Sequence, residues 1–344
     1  MNQRLQALKY ISLDYFSAAL AWLLFYRYRK TYLEPAKFGY EIPIDLNESF
    51  FLGLILIPLG WIILYASTGF YNNSYRKSRL KEFSQTLTTS LLGCTFLFFV
   101  FILDDEIDTY KDYYLSYTYI FFFHFTITYF FRFLITSRTV YRIQNREIGF
   151  NTIIVGSNEK AEALYLEMEK EKKSYGNKFI GFVRVNKKEE YLMEEHLQFL
   201  GNITELKKIV SDHQIEEAII AIESSEHKNL EQILSQLEGL NILIKVIPDM
   251  YDILSGSVKM SSIFGAPLIV INREIMPAWQ QTVKRLMDIF ISLFVLIVFS
   301  PLYIVVSLIV KFTSKGPIIF SQERIGIHGR PFMIRKFRSM YVDA

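Results

Sequence analysis

Apolar residues gather in four runs along the first part of the chain: Ile11 to Tyr26, Phe50 to Phe70, Leu87 to Leu103 and Leu115 to Ile135. A helix needs about 20 mostly apolar residues to cross the hydrocarbon core of a bilayer, and each run approaches that length. The pattern therefore predicts four transmembrane helices within residues 1–140. From Asn151 the pattern changes to short β-branched runs: Thr152 to Val155, Phe179 to Val183, Ala218 to Ile222 and Ile242 to Ile247. Charged helical stretches, Ala161 to Lys173, Ile203 to His213 and Asn229 to Leu240, lie between them. Such alternation predicts βαβ units on a parallel sheet, a Rossmann-like α/β domain over residues 145–270. A fifth apolar run, Leu286 to Val310, follows and is interrupted by Ser300-Pro301.

Composition agrees with a membrane protein that carries a soluble portion. Hydrophobic residues make up 51% of the 344, aromatics 16% and charged residues 21%, too apolar for intrinsic disorder. The single cysteine, Cys94, excludes an internal disulfide framework and a thiolate zinc site. A net charge of +3 gives no support to a nucleic-acid partner, so the placement of the charges matters more than their sum.

Basic residues are retained on the cytoplasmic side of short loops, which orients the four runs. Arg4 and Lys9 precede the first; Arg76, Lys77, Arg79 and Lys81 follow the second; Arg132, Arg138, Arg142 and Arg146 leave the fourth. The loop between the third and fourth runs instead carries Asp104, Asp105, Glu106, Asp108 and Asp112 against Lys111, while that between the first and second is ambiguous, with Arg27, Arg29, Lys30 and Lys37 against Glu34, Glu41, Asp45 and Glu48. Both ends of the four-helix region are thus expected inside and the acidic loop outside. Asp14, close to one end of the first run, is read as interfacial rather than as a buried functional carboxylate. The stretch after the fifth run carries Lys311, Lys315, Arg324, Arg330, Arg335, Lys336 and Arg338, and also belongs inside. A helix that enters the membrane, bends at Ser300-Pro301 and returns to the same face reconciles the apolar run with that charge.

Candidate chemistry is sparse in the α/β domain. Gly156-Ser157-Asn158 follows the first strand, where a dinucleotide-binding turn would sit, but Asn158 replaces the second glycine of that pattern. No acidic residue ends the second strand, which runs into Arg184. A structural or regulatory turn explains the segment better than an NAD site. His196, His213 and His227 share no ligand spacing.

The carboxy-terminal residues are more specific. Lys284-Arg285-Leu286-Met287-Asp288, Ser300-Pro301, the stretch Gly316 to Gly326 that includes Arg324, and Lys336-Phe337-Arg338-Ser339-Met340 occur in order. Together they resemble the start of the bacterial sugar transferase domain of the polyprenyl glycosylphosphotransferases, the large monotopic phosphoglycosyl transferases. The resemblance implies four transmembrane helices, a Rossmann-like domain often labelled CoA-binding, and a monotopic α+β catalytic domain entered through a re-entrant helix, starting near residue 278 and running to 344 in this sequence.

What the resemblance implies for function is transfer of a sugar 1-phosphate from a UDP-sugar to undecaprenyl phosphate, with release of UMP, Mg²⁺ as cofactor and an aspartyl intermediate. It places the protein in the bacterial inner membrane, starting exopolysaccharide, capsule or O-antigen assembly, with a homo-oligomer left open. Lys284, Arg285, Asp288, Ser300 and Pro301 would form the membrane-embedded element, and Arg324, Lys336 and Arg338 would meet substrate phosphate or lipid head groups. Arg285 and Asp288 are spaced to neutralise each other. The family's catalytic Asp-Glu pair comes well after the position matching Met340, beyond Ala344. The one such pair in this sequence, Asp105-Glu106, falls in the loop expected outside. The sequence is accordingly expected to be part of a longer enzyme and inactive in transfer by itself.

Two other functions share parts of this pattern. A membrane-anchored nucleotide-sugar dehydratase or epimerase would need a second glycine-rich turn and a Tyr-x-x-x-Lys pair, and neither follows residue 270. A non-catalytic nucleotide-sensing membrane protein would need only the helices and the Rossmann-like domain.

Overall fold

A computed structural model describes residues 3–35, 39–40, 43, 46–102, 110–185, 192–222, 227–237, 239–240, 242–247, 268–271, 276–313, 316–326 and 331–338. The chain divides into two compact units, Met1–Ile148 with Pro277–Thr282, and Gly149–Met276 with Val283–Ala344.

The first unit is built on α1 (Gln3–Tyr28), α2 (Glu48–Ser67), α3 (Arg79–Leu97) and α4 (Tyr110–Gln144). π-helical turns Arg29–Leu33 and Phe98–Ile102 extend α1 and α3. All four are long and apolar enough to cross a membrane. They outrun the apolar stretches of the sequence because polar residues continue the same backbone ladder at their ends. Asn47 and Ser78 start α2 and α3 by accepting from the amides of Phe50, at 3.0 Å, and Lys81, at 3.2 Å.

In this bundle α1 packs against α2 and α4, and α4 also packs against α3. Close approach depends on glycine facing tryptophan. A Cβ on Gly53 would lie 2.7 Å from the Trp22 indole, and one on Gly93 would lie 2.3 Å from Trp61. Trp61 in turn stacks on His124 of α4, with ring centroids 3.6 Å apart. The Tyr65 hydroxyl completes the contact at 2.8 Å from His124 Nε2.

Next to this aromatic layer lies a buried ion pair. Arg132 of α4 donates from Nε to Asp14 Oδ1 at 2.7 Å and from Nη2 to Asp14 Oδ2 at 2.8 Å. Its Nη1 donates to Thr86 of α3 at 3.0 Å, and the Tyr71 hydroxyl donates to Asp14 at 3.0 Å. The guanidinium lies 3.6 Å from the Phe70 ring centroid and 4.0 Å from that of Tyr65. On the other side of Phe70, Lys77 Nζ approaches its centroid to 3.0 Å and faces Glu82 at 3.7 Å. Burial pulls the Lys77 ammonium pKa down to about 7, against the opposing pull of the Glu82 carboxylate.

These contacts correct two expectations. Asp14 and Arg132 are each only 1% exposed at the side chain, so Asp14 is a buried, paired carboxylate rather than an exposed interfacial one. Arg132 and Lys77, counted above among loop charges, are interior groups, and the orienting charge falls to residues such as Arg79, Lys81, Arg138 and Arg142. The cluster is level with the last turn of α2, as its contacts with Tyr65 and Phe70 show.

The second unit holds a six-stranded sheet. In chain order its elements are β1 (Phe150–Val155), α5 (Glu159–Lys170), β2 (Asn177–Arg184), β3 (Phe199–Asn202), α6 (Leu206–Asp212), β4 (Glu217–Ile220), α7 (His227–Gln236), β5 (Leu243–Val246) and β6 (Ile269–Ile271). The spatial order is β3-β2-β1-β4-β5-β6. All pairings are parallel except that of the edge strand β6 with β5. In β1, Ile153 joins one core cluster and Ile154 another on the opposite face. Burial on both faces explains why this strand reads as a continuous apolar run. The short strands β3 and β6 were absent from the sequence reading.

Beyond the sheet, α8 (Ala278–Val298) and α9 (Ser300–Thr313) meet at an angle of 63°. The break has a local cause. Pro301 has no amide to give to the carbonyl of Ile297, and the Ser300 hydroxyl donates to that carbonyl instead, at 2.8 Å. An antiparallel hairpin of β7 (Ile319–Ile325) and β8 (Pro331–Phe337) follows.

Replacing Asp14 by Asn, or Arg132 by Met, should each lower the stability of the bundle by about 3–5 kcal/mol, because a buried charge loses its partner. The double variant should recover most of that loss. Unfolding of the purified protein in detergent measures both effects.

Candidate functional site

The segment from α8 to Arg338 carries the residues singled out by the sequence. On α8, Lys284 Nζ lies 2.5 Å from Asp288 Oδ2, one helical turn apart on an exposed face. The pairing expected between Arg285 and Asp288 is therefore not the one formed; the four-residue spacing brings Lys284 over the carboxylate. Along both arms of the bent pair the outward side chains are apolar, among them Phe290, Phe294, Leu302 and Ile309, each more than half exposed.

Strand register decides which basic groups of the hairpin share a face. Phe320 pairs with Lys336, Gln322 with Ile334 and Arg324 with Phe332. Opposite and alternate residues point the same way in an antiparallel ladder. Arg324 and Lys336 therefore lie on one face, interleaved with Phe320, Phe332 and Ile334. Four residues along the strand separate them, about 13 Å, so one phosphate does not bridge both. Lys336 Nζ sits 5.5 Å from the Phe320 ring centroid, and Arg324 Nη2 lies 3.5 Å from Gln322 Oε1. Arg338 follows β8, where its amide donates to the Ile318 carbonyl at 3.0 Å and continues the ladder. At 9% exposure it is the most enclosed of the three.

The turn after β1 has an internal explanation. Gly156 has φ +129°, and a Cβ there would lie 2.2 Å from the carbonyl oxygen of Ala221. Glycine is required by the approach of the chain leaving β4, whatever the turn binds. Asn158 caps α5, its Oδ1 accepting from the Ala161 amide at 3.0 Å. Ser157 between them is fully buried. The side chain that departs from the dinucleotide pattern is thus the one that starts the helix.

His196 Nε2 lies 3.0 Å from Glu162, a pair joining α5 to the 3₁₀ turn before β3. Among the described residues no three His, Cys, Asp or Glu side chains converge as a metal site requires. The magnesium ion implied by the resemblance needs only one or two carboxylates beside substrate phosphates and water, and no such carboxylate is assigned among the described residues. Asp105-Glu106 and the His227 side chain lie outside what the structure describes.

Two family models match the chain. Residues 279–344 match the model described as bacterial sugar transferase, and residues 66–248 match that described as CoA-binding domain. Over 301 residues the chain is 26% identical to a UDP-glucose:undecaprenyl-phosphate glucose-1-phosphate transferase of Klebsiella pneumoniae, covering 86% of this chain and 63% of that protein. A protein of the same description from Xanthomonas campestris pv. campestris is 30% identical over 148 residues, covering 42% of this chain and 31% of its own length. A UDP-N-acetylgalactosamine-undecaprenyl-phosphate N-acetylgalactosaminephosphotransferase of Aeromonas hydrophila is 43% identical over 58 residues, 17% of this chain and 14% of that protein. The fold and these matches define a membrane-type helical bundle joined to an α/β domain and a transferase segment. The match over residues 66–248, more than half of the sequence, places the chain in the family described as CoA-binding domain, and residues 279–344 are similar to bacterial sugar transferase. The chain spans less than two thirds of the length of these relatives.

Substituting Asn158 by Ala should lower the stability of the α/β unit by about 1 kcal/mol through loss of the cap. Gly156→Ala should cost more, about 1–3 kcal/mol, through backbone strain and the clash with Ala221. Thermal unfolding of the two variants would show this order; equal effects would mean that the close approach at Gly156 relaxes freely.

Proposed function

We propose that the protein starts glycan assembly by transferring a sugar 1-phosphate from a UDP-sugar to undecaprenyl phosphate at the cytoplasmic face of the bacterial inner membrane. An enzyme carboxylate oxygen bonds to the sugar-bearing phosphorus as its P–O bond to the bridging oxygen breaks and UMP leaves with that oxygen; a polyprenyl phosphate oxygen then bonds to the same phosphorus and releases the carboxylate. The observation that carries this reading is the match of residues 279–344 to the bacterial sugar transferase model. That segment joins a bent apolar helix pair to a basic hairpin. The chemistry requires such a place, because one substrate is held in the bilayer and the other is dissolved in water. The acidic pair that would perform the displacement is not assigned among the described residues.

In this reading residues 1–140 anchor the protein, residues 145–270 form the CoA-binding-type domain, and the transferase part begins near residue 278. The 63° corner between α8 and α9 is, in this reading, where the chain turns back toward the face from which α8 entered, and the corner supports a re-entrant helix. The basic hairpin then stays beside anionic head groups, each Lys or Arg contributing about 1 kcal/mol near such a surface. Arg324 and Lys336 in this reading meet lipid head groups, which the aromatic residues sharing their face support. Arg338, more enclosed, is the better candidate for substrate phosphate.

Membranes carrying the product of the complete open reading frame should release UMP from a UDP-sugar in sustained turnover only when undecaprenyl phosphate is supplied. Turnover without that acceptor, or none with any UDP-sugar, overturns the reading. The bend is tested separately, with a single cysteine at Ser314 and the buried Cys94 replaced by serine. Labelling of intact cells by an impermeant maleimide should fail with Pro301 present. It should rise in Pro301→Leu, where the restored hydrogen bond and the lost ring clash favour a straight helix by about 3 kcal/mol.

A further inference from the structure

The end of α2 is closed by a motif that leaves one acceptor over. After Ser67 the chain turns through Thr68 into Gly69, whose φ is +70°. The Gly69 amide donates to Ala66 at 3.0 Å and the Phe70 amide to Tyr65 at 2.9 Å, the paired bonds of a Schellman cap. The rings of Tyr65 and Phe70 supply its apolar contact, with centroids 5.7 Å apart. The Ser67 carbonyl is taken by a residue far along the chain: the Thr282 hydroxyl on the first turns of α8 reaches it at 2.8 Å and its own Ala278 carbonyl at 3.1 Å. Beside this bond Gly69 meets Ala278 so closely that a Cβ on the glycine would lie 2.3 Å from the alanine methyl. Gly69 is therefore required twice, by the left-handed turn and by the seated helix.

The residues just after the turn lead inward. Phe70 is held between the guanidinium of Arg132 and the ammonium of Lys77, and Tyr71 donates to Asp14. Four consecutive contacts thus run from α8 to the buried cluster: Thr282 to Ser67, Ala278 to Gly69, Phe70 to Arg132, and Tyr71 to Asp14. We propose that the loop after α2 is a positioning clamp for the transferase segment, in which Thr282 and Gly69 seat the first turn of α8 and Phe70 and Tyr71 anchor that seat in the Asp14–Arg132 cluster. The proposal rests on the transfer reaction proposed above for its effect on catalysis, but the clamp itself is a matter of structure. Since α8 opens the segment that matches the transferase model, a small displacement of its first turn moves reacting groups out of alignment without removing any of them.

Two mild variants of the complete gene product in nanodiscs test this. Thr282→Val removes one hydroxyl and keeps the shape; Tyr71→Phe removes a hydroxyl two contacts away from α8. Amide exchange over residues 278–286 should quicken about tenfold in Thr282→Val and less in Tyr71→Phe. In UMP-release assays kcat should fall about threefold to tenfold, with KM for the UDP-sugar unchanged. Thr282→Ser, which keeps the hydroxyl, should restore both readings. Unchanged exchange in the two variants overturns the clamp, and quickened exchange with unchanged kcat overturns its positioning role. Absence of UMP release in the unmodified protein would count against the transfer reaction, while the exchange measurement would still decide the clamp.

Discussion

One guanidinium holds the helical bundle together. Arg132 projects from α4 and uses its planar fork on Asp14 of α1 and Thr86 of α3, while its face lies on Tyr65 and Phe70 at the end of α2. Every other helix of the bundle is reached by that side chain or by the turn that follows it. A lysine could not replace it, since a point charge offers neither the bidentate geometry nor the stacking face. The pair need not add net stability over well-packed apolar residues. Its effect lies in register: sliding α1 against α4 by one turn would leave a charge without its partner where water cannot replace it.

The same cluster explains why the loop after α2 is ordered in the way it is. Phe70 and Tyr71 are directed inward because cations and a carboxylate wait for them, and the Schellman turn at Gly69 supplies the change of direction. The α/β unit, by comparison, is held by ordinary sheet packing. In the turn after β1, Asn158 departs from the dinucleotide pattern because it caps a helix, and Gly156 is required by a backbone contact.

Much of the fold was legible in the sequence because its elements rest on local signals. Four apolar runs and alternating β-branched stretches place the helices and the central strands, and Ser300-Pro301 places the bend. The strands β3 and β6 were not legible: Phe199–Asn202 and Ile269–Ile271 are too short to show a period. The buried ion pair left a fainter trace. On α4, His124, Thr128, Arg132 and Thr136 recur at four-residue spacing inside an apolar run and all are buried. Glu82, Thr86 and Ser90 repeat that spacing on α3. Counting charges by loop hid this, because a charge tally does not ask which face of the helix a residue occupies. In the hairpin, the choice of basic residues came from resemblance; strand register put Arg324 and Lys336 on one face, and burial set Arg338 apart.

The junction between α8 and α9 has a consequence for how the protein is made. Its two components, a missing amide at Pro301 and a hydroxyl at Ser300 that takes the freed Ile297 carbonyl, lie within five consecutive residues. Such a corner requires no partner from elsewhere in the chain. It forms as soon as those residues become helical, with no need for the hairpin to be folded. The corner is thus written into five residues of local sequence, and whatever follows it in the chain inherits its direction.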